Sequence, residues 1–205
     1  AGPATVVPVA DILAKRGSSG LPFFHTDLRI VDALMQVIED HSSGQILIKG
    51  PHVSSRYWQD SEATAAAFDD GWLRTGDRGY IDRDGYLYIE GRIKEMIITG
   101  GENVHPAEVE NVLQTYPGVT DVAVLGIPDV RWGERICAVV YSEGSSSPTL
   151  ADLKVHCAPQ LATYKFPTTL ITQSEPLPRN AMGKLLRDDI RKMALSCVDG
   201  SFFAR

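Results

Sequence analysis

The stretch from His105 to Ser142 constrains the fold most. His105-Pro106-Ala107-Glu108 opens a helix, with proline at the first helical position and a carboxylate in the first turn. Val109, Val112, Leu113 and Tyr116 recur at helical spacing, so one face of that helix is buried, and Pro117-Gly118 ends it. Residues 119–127 and 135–142 are apolar and β-branched, and read as strands. Thr149, with Asp152 three residues on, caps a second helix whose buried side carries Leu150, Leu153, Cys157 and Leu161. Residues 170–172 read as a short strand and 185–193 as a last amphipathic helix. That order of elements makes residues 93–196 a small α/β unit, with 197–205 as a tail.

Residues 1–92 read differently. Pro, Gly and Ser make 1–25 loop-like. Short β-like segments follow at 27–32 and 45–49, a short helix at 61–68, and strands at 80–82 and 86–90 around the turn Arg83-Asp84-Gly85. These strands lack an obvious complete core of their own, and exposed strand edges invite self-association. A strand ends at Gly91-Arg92-Ile93-Lys94, where a new unit begins and a hinge would sit.

The net charge of −6 gives no broad nucleic-acid surface, so basic residues act locally. No apolar run approaches the roughly 20 residues of a membrane-crossing helix. The first residues carry Pro3 and Pro8 without a basic start, unlike a secretory signal. Cys137, Cys157 and Cys197 are far apart and form no C-x-x-C pair, which argues for reduced thiols in a cytoplasmic protein rather than a disulfide framework or a zinc site. Lys15-Arg16-Gly17-Ser18-Ser19-Gly20 is basic and rich in small residues, but lacks the phosphate-loop pattern and reads as plain loop.

Three motifs carry chemistry. In Trp72-Leu73-Arg74-Thr75-Gly76-Asp77 a carboxylate able to accept from a vicinal diol follows a glycine; alone, a turn aspartate is the plainer reading. Gly91-Arg92-Ile93-Lys94-Glu95 precedes Thr99-Gly100-Gly101-Glu102-Asn103, where paired glycines permit close approach to a ligand; alone, a hairpin turn is as good an account. Pro178-Arg179-Asn180-Ala181-Met182-Gly183-Lys184 sets a flexible ammonium before a helix, where the dipole disfavours a cation.

Together, in this order and spacing, and with Leu161-Ala162-Thr163-Tyr164-Lys165-Phe166-Pro167 between them, these motifs resemble the second half of the adenylate-forming superfamily over about residues 17–194. The Gly-Gly-Glu-Asn-Val form, and Trp132-Gly133-Glu134 after Ile127-Pro128-Asp129, look most like fatty-acyl and related acyl-CoA ligases.

The resemblance implies an α/β (α+β) fold: the β-rich end of a large AMP-binding domain (1–92), then a mobile C-terminal domain (93–196) with a short sheet flanked by helices. It implies that Asp77 and Arg92 bind the nucleotide ribose and that Lys94 is the hinge. Gly100, Gly101 and Glu102 would form the loop for thioester formation with CoA, and Lys184 would be the catalytic lysine of adenylation. The implied reaction joins a carboxylic acid, ATP and CoA in two steps, through acyl-AMP, with rotation of the small domain between them. Mg2+ is implied with its site mostly outside these residues, and no metal site within them. The Gly/Ser/Thr/Lys-rich loop for the β- and γ-phosphates is absent from the sequence, so the chain alone is expected to be inactive. Leu21 stands where many relatives have arginine, and 40–45 lack the usual Gly-Glu pair. Two other readings remain: a ligase passing its acyl group to a carrier protein or another acceptor, and a non-catalytic stand-alone module. Homo-oligomerisation is left open.

Overall fold

A computed structural model describes residues 2–39, 41–143 and 147–198. The chain divides between Lys94 and Glu95 into two units, two residues beyond the boundary expected from the sequence. Among the described residues no helix is long and apolar enough to cross a membrane.

In the first unit, β1 (Thr5–Val6) pairs antiparallel with β2 (Leu21–Pro22), inside a stretch that composition alone marked as loop. β3 (Asp27–Val31), β4 (Gly44–Lys49), α1 (Ser61–Ala67), β5 (Phe68–Asp69), β6 (Trp72–Ile81) and β7 (Leu87–Arg92) follow. The sheet order is β3-β4-β6, with β5 and β7 both on β6 and every pairing antiparallel. Successive side chains of a strand point to opposite faces. Ile30 and Ile46 therefore join Leu87 in one small cluster, while their neighbours Val31 and Leu47 join Trp72 in another.

In the second unit, β8 (Ile97–Thr99) and β9 (Glu102–Val104) form a hairpin. Helix α2 (Pro106–Leu113) starts on Pro106 as expected, but ends at Leu113. Thr115 and Tyr116 then close tighter turns onto Val112 and Leu113 before Gly118, at φ +93°. β10 (Asp121–Asp129) and β11 (Gly133–Tyr141) pair antiparallel along their whole length. Helix α3 (Leu150–Cys157) carries the expected Thr149–Asp152 capping box. β12 (Thr169–Gln173) returns beside β11 in parallel, and α4 (Arg187–Val198) closes the unit.

β10 and β11 are buried on both faces, which explains their near-continuous apolar sequence. Val122, Val124, Ile136, Ala138 and Val140 face α2 and α3, with Val109, Leu113, Leu153 and Cys157 at full burial. Ala123, Leu125, Ile127, Cys137 and Val139 face α4, where Ile190 and Ala194 are fully buried. The architecture is a mixed α/β sheet flanked by helices.

The last helix corrects the sequence reading at both ends. Leu185 is held in a bridge to Arg179, and Leu186 N donates to Pro178 O, so the helix begins only at Arg187. It runs through Cys197 and Val198, with Met193, Ala194 and Leu195 packed on the core, so the tail does not begin at 197. Residues 199–205 of the expected tail lie outside the described residues.

Candidate active site

Asp77 sits mid-strand in β6, not in a turn. Opposite Ile46 of β4 the strand β6 carries extra residues, since Gln45 pairs with Arg78 and Leu47 with Arg74. Gly76, at φ +74°, makes that bulge. Thr75 fixes it: its hydroxyl donates to Ile46 O at 2.8 Å and accepts from Asp77 N at 3.0 Å. Asp77 is also opposite Arg92 of β7 in register. Arg92 Nε meets Asp77 Oδ1 at 2.9 Å and its Nη1 donates to Thr75 O at 3.2 Å. Asp77 Oδ2 has no partner among the described residues, and the carboxylate is partly exposed. One oxygen fixed and one open is an arrangement that can accept from a diol. Lys94 is exposed, in the single turn Ile93–Glu95.

In the second unit Gly100 and Gly101, at φ +59° and +87°, make the β8–β9 turn. Trp132 lies against it. Gly100 N donates to Trp132 O at 2.9 Å, and a Cβ on Gly100 would come within 2.8 Å of the indole. Glu134 Oε2 accepts from Ile98 N at 2.8 Å, fixing the strand that enters the turn. Glu102, beside the turn, is exposed.

Lys184 sits on a separate hairpin, exposed, with no hydrogen bond or ion pair to its ammonium among the described residues. The hairpin is built by Asn180, whose Oδ1 accepts from Met182 N and Lys184 N, each at 3.0 Å. Arg179 pins it, donating to Gly183 O at 2.6 Å and Asp121 Oδ1 at 2.7 Å. Below it, Arg187 meets Glu110 at 2.9 Å, Glu95 at 2.9 Å and Val124 O at 3.1 Å. Burial disfavours the Arg187 charge, but the Glu110 hydrogen bond and both carboxylate charges outweigh it and hold the group more firmly protonated. The sequence reading gave no role to Thr75, Trp132, Asn180 or Arg187. The available signal was Arg187 itself, a second cation at the start of a helix, which needs carboxylate partners.

The structure thus brings Asp77 and Arg92 together, and separately Gly100, Gly101 and Glu102. Lys184 is apart from the glycine turn. The turn abuts Trp132, beyond the Asp129 end of β10, whereas the lysine hairpin is tied to Asp121 at the other end. Their anchors, Asp121 and Asp129, are the two ends of β10, a strand about 25 Å long at about 3.3 Å per residue. Among the described residues no three His, Cys, Asp or Glu side chains gather as a metal site.

A family profile for the AMP-binding enzyme C-terminal domain matches residues 108–184. A long-chain-fatty-acid–CoA ligase of Mycobacterium tuberculosis is 44% identical over 96% of this chain and 39% of its own length. The acyl-adenylate complex of o-succinylbenzoate CoA synthetase from Bacillus subtilis superposes with a TM-score of 0.85 and 38% identity, over 92% of this chain and 38% of that one. The chain belongs to the adenylate-forming superfamily. Its resemblance is to the C-terminal portion of that superfamily's enzymes, and it spans about two fifths of the length of the curated relatives it matches. It also matches an amide bond synthetase from Marinactinospora thermotolerans, at 31% identity and TM-scores of 0.80–0.81 over 89% of this chain and 37–38% of that chain.

Proposed function

We propose that the chain is the C-terminal portion of an acid–CoA ligase that forms an acyl-adenylate from a carboxylic acid and ATP, then a thioester with CoA. The observation that carries this reading is the separation of Lys184 from the Gly100–Gly101 turn. Adenylation brings a carboxylate to a phosphate, so it needs a positive charge aimed at the developing anion. Thioester formation needs a narrow backbone approach for the thiol, which a side-chain-free turn offers. Two such elements, anchored at opposite ends of β10, cannot serve one site at once. Rotation of the second unit about Lys94 exchanges them, and a hinge of this kind needs few backbone positions. Lys184 supplies the charge for the first step and is withdrawn before the second. Asp77 and Arg92 hold the ribose throughout.

Mg2+ would neutralise phosphate charge in the first step; the described residues offer it no ligand set. The acid is a fatty acid on this reading, following the sequence form of the glycine loop. Relatives include enzymes named for indoleacetate and 2-succinylbenzoate, so the acid must be measured. A second reading, transfer of the acyl group to an amine or carrier rather than CoA, draws on the likeness to the amide bond synthetase.

The test is CoA-dependent AMP release over a panel of carboxylic acids, by protein that includes the phosphate loop, with Lys184→Ala beside it. Loss of adenylation by a factor of about a hundred or more in the variant is expected. Acyl-AMP that forms but is not consumed faster with CoA would favour the other acceptors. The 205-residue chain alone is expected to give no carboxylate-dependent pyrophosphate exchange; exchange by it would overturn the dependence on a phosphate loop.

A further inference from the structure

Helix α4 carries two arginines four residues apart, hence on one face. Both reach the outward edge of β10, at residues two apart. Arg187 Nη1 donates to Val124 O at 3.1 Å and Arg191 Nη1 to Gly126 O at 2.7 Å. Their remaining contacts diverge.

Arg187 belongs to the lysine end. Leu186 N closes the lysine hairpin on Pro178 O at 2.9 Å, so Arg187 is the next residue after that closure. The rest of its guanidinium bridges Glu110 of α2 and Glu95, which adjoins the hinge residue Lys94. Glu110 in turn accepts from Val124 N at 2.7 Å, so the Glu110–Arg187 pair holds both outward backbone groups of Val124. A planar fork engaged on three partners fixes the backbone of its own residue more tightly than a point charge can.

Arg191 belongs to the glycine end. Its Nη1 lies 4.0 Å from Glu134 Oε1, and the Glu134 carboxylate covers Gly126, where a Cβ would come within 2.7 Å of it. The other oxygen of Glu134 holds Ile98 N in β8, two residues before Gly100.

We propose that Arg187 and Arg191 are positioning residues divided between the two half-reactions. Arg187 sets the Lys184 hairpin for adenylation. Arg191, through Glu134, sets the strand that presents the glycine turn for thioester formation. The division rests on the ligase reading above.

The test uses the intact ligase and the acid that the wild type accepts, with the half-reactions measured separately: pyrophosphate release without CoA, and CoA-dependent consumption of preformed acyl-AMP. A displacement of about 1 Å costs up to about a hundredfold in rate. Arg187→Lys is expected to lower kcat of adenylation by about ten- to a hundredfold, with KM for ATP and the thioester step within about twofold. Arg191→Gln is expected to do the reverse. A general loss of structure would move both steps together. If Arg187→Lys proves unfolded by circular dichroism, Glu95→Gln, which leaves the fork on Glu110 and Val124, must show the same one-sided loss in smaller measure. Equal effects on both half-reactions, or none, in folded variants of an active wild type overturn the division. A wild type inert with every acid overturns the ligase reading instead.

Discussion

Gly100 and Gly101 share a turn and a left-handed backbone, yet they differ in what surrounds them. A Cβ on Gly100 meets the Trp132 indole at 2.8 Å, whereas one on Gly101 meets nothing within 4 Å. Gly101→Ala therefore carries only the backbone penalty, about 1 kcal/mol, while Gly100→Ala must also push the indole aside and is expected to lose about 2–3 kcal/mol. Urea unfolding of the two variants checks the ordering, and equal losses would show that Trp132 yields freely. Burial acts on a second residue. It pushes the Cys137 thiol up to about 12, with Cys197 adding to the rise and Arg135 opposing it. An unfolded cysteine titrates near 8.5. Below that pH both states hold the proton and the stabilisation is complete. Between about 8.5 and 12 the unfolded chain binds fewer protons, so stability falls as pH rises, by about 1.4 kcal/mol per unit. Cys137→Ala is expected to be less stable at pH 7 but flatter between pH 9 and 11; an unchanged slope would refute the burial argument.

At the scale of elements, β10 is an edge strand of its sheet, and three of its outward groups are met by side chains instead of a neighbouring strand. Glu110 takes Val124 N, Arg187 takes Val124 O, and Arg191 takes Gly126 O. Glu110→Ala leaves a peptide N–H and a largely buried guanidinium short of a partner. It is expected to destabilise the second unit by about 2–4 kcal/mol, read by chemical unfolding. Elements with a strong local signal were legible in the sequence: the Pro106 helix start, the Thr149–Asp152 cap, and the paired apolar runs of β10 and β11. β6 was not, because Gly76 and Gly79 interrupt its pattern. Gly76 makes the bulge, and Gly79 lies where a Cβ would meet Tyr88 O at 2.1 Å. Both reasons are tertiary. β1 and β2, two residues each, carry no periodicity to read. Of the candidate site, the glycine pair, Asp77 and Lys184 stood out by motif. The partners that hold them, Thr75, Trp132 and Asn180, are ordinary residues whose roles come from contacts with the site motifs.

For the whole molecule, the two units differ in what they bury. Among the described residues the second has clusters of fourteen and eight buried residues on the two faces of its sheet, the first three and three. Residues 95–198 expressed alone are expected to unfold cooperatively and remain monomeric. Residues 1–94 alone are expected to show weak hydrogen-exchange protection and concentration-dependent association. Sedimentation of the two pieces decides, and a monomeric, fully protected first piece would contradict the contrast.

The parallel arrival of β12 beside β11 bears on the order of assembly. β10 and β11 are joined by residues 130–132 and close as a local hairpin, whereas β12 reaches β11 only after residues 142–168, α3 among them. Closing the longer loop carries the larger entropy cost before any contact rewards it. The hairpin is therefore expected to form before the rate-limiting barrier and β12 to dock after it. In refolding kinetics Val139→Ala should slow folding, while Ile171→Ala should act almost wholly on the unfolding rate.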